Sequence, residues 1–393
     1  MKLKLIKFLD LGVEYSTYVF IFYIPISIAF VSIFSIIALV LFFIKQLLCP
    51  NFSSIKSNKT FFLLFLIFFI CMAVSLINSG PLIAKSLNAL FMKWGRFVLI
   101  LWMILDTFQN PGRRVKAAGV FLFSATLVGL SVFSQKFFGL EFLRHKPLDF
   151  EGIITGPFPS RNDLASYLTC VIPIVLCFCL WKGKQKFLKI GLFLIPIMLI
   201  ISSLWTTCRG GWIGLSVGLI WVALLINYGR LPKKIFWSLF SVGYILCVPL
   251  IAIALFFLKN DPQRIILYHS AWAMIVEHPF LGKGLGTFMD YSTQYAHNGW
   301  ACYAHNCFLQ IWAESGIFSL LSFLLLNGYV FYRTLKVVSK MPASLNLNIL
   351  IGLSAGFLGL FVHCFFDTQL YSFQASFLFW TVMGLTVASQ SFL

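Results

Sequence analysis

Apolar runs of about twenty residues recur along the chain, separated by polar stretches of unequal length. They fall at roughly 12–28, 29–48, 61–78, 87–106, 117–135, 162–181, 187–204, 211–227, 235–257, 307–331, 347–366 and 371–389. A helix needs ~20 apolar residues to cross the hydrocarbon core of a bilayer. The pattern therefore predicts an all-α polytopic membrane protein of about 12 transmembrane helices, with 1–393 forming one integral membrane domain. Two polar intervals are long, about 136–161 and 258–306. The first apolar stretch is either one long span or a tight hairpin near Pro25.

Lysine and arginine decide between these. With a hairpin and a cytoplasmic N-terminus, 19 of the 30 basic residues fall in cytoplasmic segments, nine fall outside, and Lys93 and Arg96 lie within a span. An unsplit first stretch places Lys2, Lys4 and Lys7 opposite every other basic loop. The positive-inside bias thus favours twelve spans with both termini cytoplasmic and both long loops outside. Acidic residues follow the reverse bias: Glu141, Asp149, Glu151, Asp163, Asp261, Glu277, Asp290, Glu314 and Asp367 fall on or near the outer side.

Composition agrees. The chain is 60% hydrophobic and 11% charged, with a mean hydropathy of +0.92, which excludes an ordinary soluble domain. A net charge of +18 raises nucleic acid as a partner, but the charge is topogenic and no basic helix carries interleaved aromatics. No nucleic-acid partner is expected. No small-residue cleavage site follows the N-terminal lysines, so the first span is expected to serve as a signal anchor. Most cysteines lie in apolar runs and read as small buried hydrophobes. Cys302 and Cys307 flank a polar segment where a disulfide is open to them if that segment is extracytoplasmic.

The loop 258–306 has structure written into it. Asp261-Pro262 is a helix start, with Asp as cap and Pro at the first helical position. The helix ends near His278-Pro279. Arg264, Tyr268 and Trp272 share one of its faces, as an interfacial anchor or as part of a site. Gly282-Lys-Gly284-Leu-Gly286 lacks the strand and the Lys-Ser/Thr ending of a phosphate loop, so it predicts a tight turn. Tyr291, Tyr295, His297, Trp300 and Tyr303 suit either the headgroup level or sugar faces. The loop ends at Ala304-His305-Asn306, where span ten begins. Glu314 sits in that span's first turns, and an ionisable residue there usually faces a polar cavity or a partner. His305, at the membrane–water boundary, is suited to general-base work or to a structural role.

Arg209 stands in the turn Thr206-Thr-Cys-Arg209-Gly-Gly-Trp212, an anion cradle or a turn with a snorkelling arginine. Arg161-Asn162-Asp163 opens span six, as an N-cap cluster or a ligand site. Three cations on one side, Arg161, Arg209 and Arg264, beside a candidate base suggest an anionic lipid-linked substrate, a phosphate ester or diphosphate. His363 and Asp367, one helical turn apart, read as a hydrogen-bonded cap or a proton-relay pair. No His, Cys and carboxylate cluster has metal spacing, and no paired carboxylates suggest a glycosidase, so metal-independent transfer without a cofactor is expected.

The pattern Arg264…Trp272…His278-Pro279-x-x-Gly282-x-Gly284-x-Gly286-x-Phe288, then His305-Asn306-x-x-Leu309-Gln310-x-x-x-Glu314-x-Gly316, resembles the O-antigen ligase/polymerase superfamily of bacterial envelope glycosyltransferases. Arg209-Gly-Gly-Trp212 and Arg161-Asn162 fit its upstream blocks. The likeness covers most of the chain and is strongest over 205–316. It implies a GT-C-like fold with the long helical loop in the periplasm, in the inner (cytoplasmic) membrane. It further implies a donor glycan on undecaprenyl diphosphate, His305 activating the acceptor hydroxyl, and Arg209 and Arg264 holding the diphosphate. Arg161 joins these as a third cation, with Asn162, Trp272, Asn306 and Glu314 in support.

For this resemblance the expected activity is that of an O-antigen ligase, which moves a polysaccharide onto a sugar hydroxyl of lipid A–core with inversion. A polymerase joining lipid-linked repeats is the first alternative. The modest length and the lack of a C-terminal extension lean against transfer to a protein side chain. A polytopic transporter is the alternative from another class, opposed by the lack of an internal repeat.

Overall fold

The computed structural model describes residues 2–149, 151–181, 186–228, 261–296 and 302–391. Its principal helices are α1 (Lys2–Tyr23), α2 (Ile28–Leu48), α3 (Lys59–Val74), α4 (Arg96–Thr107), α5 (Pro111–Phe138), α6 (Arg161–Cys179) and α7 (Lys186–Trp205). They continue with α8 (Arg209–Asn227), α9 (Pro262–Glu277), α10 (Phe288–Ala296), α11 (Cys307–Val338), α12 (Leu345–His363) and α13 (Phe373–Ser389). No strand forms among the described residues beyond an isolated bridge between Leu140 and Pro147.

Among those residues eight helices are long and apolar enough to cross a membrane, and Gly191–Trp205 and Phe373–Ser389 are shorter apolar helices. The chain is a multi-pass membrane protein. The hairpin forms as the charge pattern required: the chain turns at Ile24–Ser27 around Pro25, and the Ser27 side chain accepts from the Phe30 amide to start α2. The first helix begins ten residues earlier than the hydropathy window at 12, because Lys2, Lys4 and Lys7 depress hydropathy without opposing helix. The expected ninth span, 235–257, lies outside the described residues.

Long-range hydrogen bonds and ion pairs sort the described connections onto two faces. One face gathers basic residues of the described loops. There Lys45 bridges Asp10 at 2.7 Å and Asp106 at 3.0 Å, Arg113 binds Asp10 and Glu14, and Arg114 donates to the Ala388 carbonyl at 2.7 Å. The opposite face gathers the loops 139–160 and 364–372, the turn before α8, and helices α9 and α10.

Glycine sets how close the central helices come. A Cβ on Gly214 of α8 would lie 2.5 Å from the Gly359 carbonyl of α12, and one on Gly356 would lie 2.2 Å from the Cys170 carbonyl of α6. Small residues at such spacing let backbones touch, which is how helices associate in lipid. The central α6 is 83% buried over its apolar window, against 22% for the lipid-facing α2. The α6–α8–α12 packing brings the starts of α6 and α8 beside the end of α12 on the face opposite the basic loops.

Candidate active site

On that face a cavity of about 240 Å³ opens, lined by Arg161, Asn162, Arg209, Arg264, His363 and Asp367, among others. The three arginines that the sequence placed on one side thus share one pocket. Each belongs to the first turn of a helix, α6, α8 or α9, so three positive dipole ends converge with three cations. Local chemistry starts each helix. Ser160 caps α6 by accepting from the Asp163 amide at 3.1 Å. Asp261 caps α9 by accepting from the Arg264 amide at 3.2 Å, with Pro262 in the first turn, as the sequence predicts. Arg264 donates to the Phe366 carbonyl at 2.9 Å and pairs with Asp261 at 3.3 Å, while Arg161 donates to Thr207 Oγ1 at 3.3 Å. The chemistry of such a site is anion binding.

His305 stands at the end of loop 258–306, with a left-handed φ of 47°. Its Nδ1 lies 2.8 Å from Asp367 Oδ1, and Asp367 also lines the cavity. Its Nε2 faces Cys302 Sγ at 3.7 Å. The bond to Asp367, then the contact with Cys302, raise the His305 pKa to about 9 against the pull of burial. Burial pushes the Asp367 carboxyl up, but the bond to His305 holds it below its ordinary value. Asp367 also accepts from the Thr368 amide at 2.8 Å and Gln369 Nε2 at 3.2 Å, so its orientation is fixed. A carboxylate on one ring nitrogen leaves the other as the site of proton transfer.

Two alternatives that the sequence leaves open are resolved here. His363 and Asp367 form a hydrogen-bonded cap through the backbone, the Asp367 amide donating to the His363 carbonyl at 3.2 Å. The helix α12 ends at His363, and the Asp367 side chain turns to His305, so the two form no side-chain relay. His363 meets Ser166 Oγ at 3.1 Å and Cys208 Sγ at 3.6 Å, which ties the end of α12 to α6 and to the residue before Arg209. Cys302 and Cys307 are both free thiols: Cys302 faces His305, and Cys307 donates to the Asp367 carbonyl at 3.3 Å.

The supporting residues divide. Asn162 lines the cavity. Asn306 caps α11, accepting from the amides of Phe308 at 2.9 Å and Leu309 at 3.0 Å. Glu314 is buried and accepts from the Gly286 and Phe288 amides, Gln310 Nε2 and Tyr371 OH. Gln310 in turn accepts from the Ala304 amide at 3.1 Å, next to His305. Trp272 is 54% exposed and lies edge-on to Trp312 at 6.0 Å, away from the cavity lining.

The predicted turn at 282–286 forms against α11, which breaks at Gly316 (φ 79°). A Cβ on Gly282 would lie 2.3 Å from the Glu314 carbonyl carbon, so close backbone approach requires glycine. Of the aromatic loop, His297 and Trp300 lie outside the described residues, Tyr291 and Tyr295 surround Lys283 Nζ, and Tyr303 packs on Tyr371. Among the described residues no three His, Cys, Asp or Glu side chains gather as metal ligands.

Residues 195–324 match the model of the O-antigen ligase family. Over 227 residues the chain is 23% identical to the ComP-specific O-oligosaccharyltransferase of Acinetobacter baylyi, covering 52% of this chain and 39% of that relative. The match therefore spans well under two thirds of the relative's length. Arg209, Arg264, His305 and Glu314 fall inside the family match, while Arg161 and Asp367 fall outside it. These likenesses support the O-antigen ligase superfamily and a ligase-type membrane glycosyltransferase.

Proposed function

We propose that the chain transfers a glycan from undecaprenyl diphosphate to a hydroxyl acceptor, without a metal or cofactor, on the periplasmic side of the bacterial inner membrane. One observation carries the reading: a cavity ringed by three arginines at helix starts, with Asp367 in its lining and His305 hydrogen-bonded to that carboxylate. Arg209, Arg264 and Arg161 hold the diphosphate and stabilise the charge that grows on it as the glycosidic bond breaks. Asp367 orients His305, whose Nε2 takes the proton of the acceptor hydroxyl as its oxygen attacks the anomeric carbon. A diphosphate leaves without a general acid. Direct displacement inverts the anomeric centre.

The acceptor proposed is a sugar hydroxyl of lipid A–core, in keeping with the family match. The name of the A. baylyi relative favours a second reading, transfer of an oligosaccharide to a side-chain hydroxyl of a protein. Crowding of basic residues on the face opposite the cavity supports cytoplasmic termini and a periplasmic site.

Deleting the gene in its host and resolving the envelope glycolipids beside the lipid-linked intermediates tests this. A ligase leaves lipid A–core bare and long polymer on undecaprenyl diphosphate. Core capped by single repeats identifies a polymerase, and an unchanged lipid A pattern with loss of glycan from a protein identifies the second reading.

A further inference from the structure

The mechanism uses one face of the His305 ring for Asp367 and needs the other for the acceptor. That other face is occupied: Cys302 Sγ lies 3.7 Å from Nε2, completing a thiol, imidazole and carboxylate series drawn from two separate segments. The same three groups, so ordered, make a thiol nucleophilic wherever they occur, because the imidazole takes the thiol proton and the carboxylate stabilises the resulting charge. We propose that Cys302 is a site of covalent modification by soft carbon electrophiles, and that modification closes Nε2 of His305 to the acceptor hydroxyl. The second half rests on His305 being the base.

The surroundings favour the thiolate. His305 lowers the Cys302 pKa against burial, and the groups that face the pair are Asp367 across the cavity wall, Arg264 from α9 and the Tyr303 phenol beside it. Access is present. Cys302 is half-buried, and of the other described cysteines only Cys49 and Cys71 are not buried. Cys49 lies at the basic face and Cys71 within α3. With a maleimide the step is an addition. The thiolate sulfur forms the S–C bond, the C=C π pair moves to the neighbouring carbon, and that carbon takes a proton from the imidazolium or water.

The test treats the full-length protein in detergent with N-ethylmaleimide and follows Cys302 by peptide mass spectrometry. An unperturbed thiol, with a pKa of about 8.5, labels about 50-fold faster at pH 8.5 than at pH 6.5. Cys302 is expected to gain less than that, and a rise of about 50-fold or more overturns the activated thiol. Transfer is expected to fall in proportion to Cys302 labelling, and full labelling with transfer retained overturns the blocking role. Treated Cys302→Ser is expected to keep the transfer of its own untreated sample, and loss there places the damage at another cysteine and overturns the assignment. Transfer surviving in His305→Ala removes the base reading while leaving the labelling profile to stand or fall alone.

Discussion

Nδ1 of His305 lies 2.8 Å from Oδ1 of Asp367, although 62 residues separate them. The pair fixes both the tautomer and the ring plane of the histidine. Asp367→Asn keeps the shape but offers the ring no negative charge. A positioned base contributes about 10²–10⁴-fold, so transfer in Asp367→Asn is expected to fall by roughly 10²-fold in kcat. Donor KM should hold or drop, because a carboxylate has left a cavity built for an anion. Kinetics on purified enzyme with varied donor separate these, and a rise in donor KM without a fall in kcat removes Asp367 from the base's support.

The same pair sets the pH dependence. His305 is a base only when neutral, and its pKa is raised to about 9, chiefly by Asp367. The kcat/KM for acceptor is expected to rise about tenfold per pH unit below that value and to level above it. In Asp367→Asn the break moves down towards the ordinary ~6.5. The linkage to stability has the matching sign. The raised histidine stabilises the fold below pH ~6.5, and that contribution is lost as pH climbs through about 9. The lowered Asp367 contributes above ~3.9 and loses its contribution as pH falls. A rate profile flat from pH 6 to 9 detaches the base from this pair.

Much of this site was legible locally, and its assembly was not. Pro25, the Asp261-Pro262 start and the glycines of 282–286 act through their own backbone, so the sequence predicts the turns and the helix start directly. The three arginines could be placed on one side by charge bias alone. The meeting of Arg161 and Arg209 depends on Gly214, Gly356 and Gly359, whose contacts are between helices distant in sequence, and Arg264 joins them through the Phe366 carbonyl. The i, i+4 spacing of His363 and Asp367 predicts the backbone bond between them but not the side-chain partner of Asp367. The helix stops at His363, and the carboxylate that follows is taken by His305, a residue 62 positions earlier.

The arginines should differ in weight. Arg209 and Arg264 carry the donor's charge in the mechanism, and replacing a guanidinium by Lys removes paired donors while keeping the charge. Arg209→Gln or Arg264→Gln is expected to lower kcat/KM for donor by roughly 10²–10³-fold, with Lys recovering part of it. Arg161 is exposed like Arg209 but lies outside the span that matches the O-antigen ligase family, which holds Arg209 and Arg264, so Arg161→Gln should cost about tenfold or less. Equal losses at all three positions contradict this ranking.

Close packing of α6, α8 and α12 predicts damage at a distance. In Gly356→Ala the new Cβ meets the Cys170 carbonyl at 2.2 Å, a backbone atom that cannot rotate away. Overpacking of this kind costs about 1–3 kcal/mol or more. The variant is expected to unfold at lower temperature in detergent and to lose donor affinity, since the helix starts that carry Arg161 and Arg209 are displaced together. Gly119, with nothing near its Cβ, serves as the control, and Gly119→Ala should change neither.

Glu314 is the last test, because its carboxylate could be read as chemistry or as architecture. It accepts four hydrogen bonds: from Gly286 and Tyr371 at Oε2, and from Phe288 and Gln310 at Oε1. In Glu314→Gln the amide oxygen can keep Phe288 and Gln310. The Tyr371 hydroxyl can turn to accept from the new amide nitrogen. The Gly286 amide alone then faces a donor, at about 1–3 kcal/mol. Glu314→Ala strands all four donors and should cost more than that. Through Gln310 and the Ala304 amide, the loss loosens the left-handed backbone of His305. Transfer is therefore expected to fall in kcat with donor KM little changed, Gln recovering much of what Ala loses. The break of the pH profile should stay where Asp367 sets it. If Glu314→Gln abolishes transfer at an unchanged unfolding temperature, the carboxylate takes part in the reaction and the architectural role is wrong.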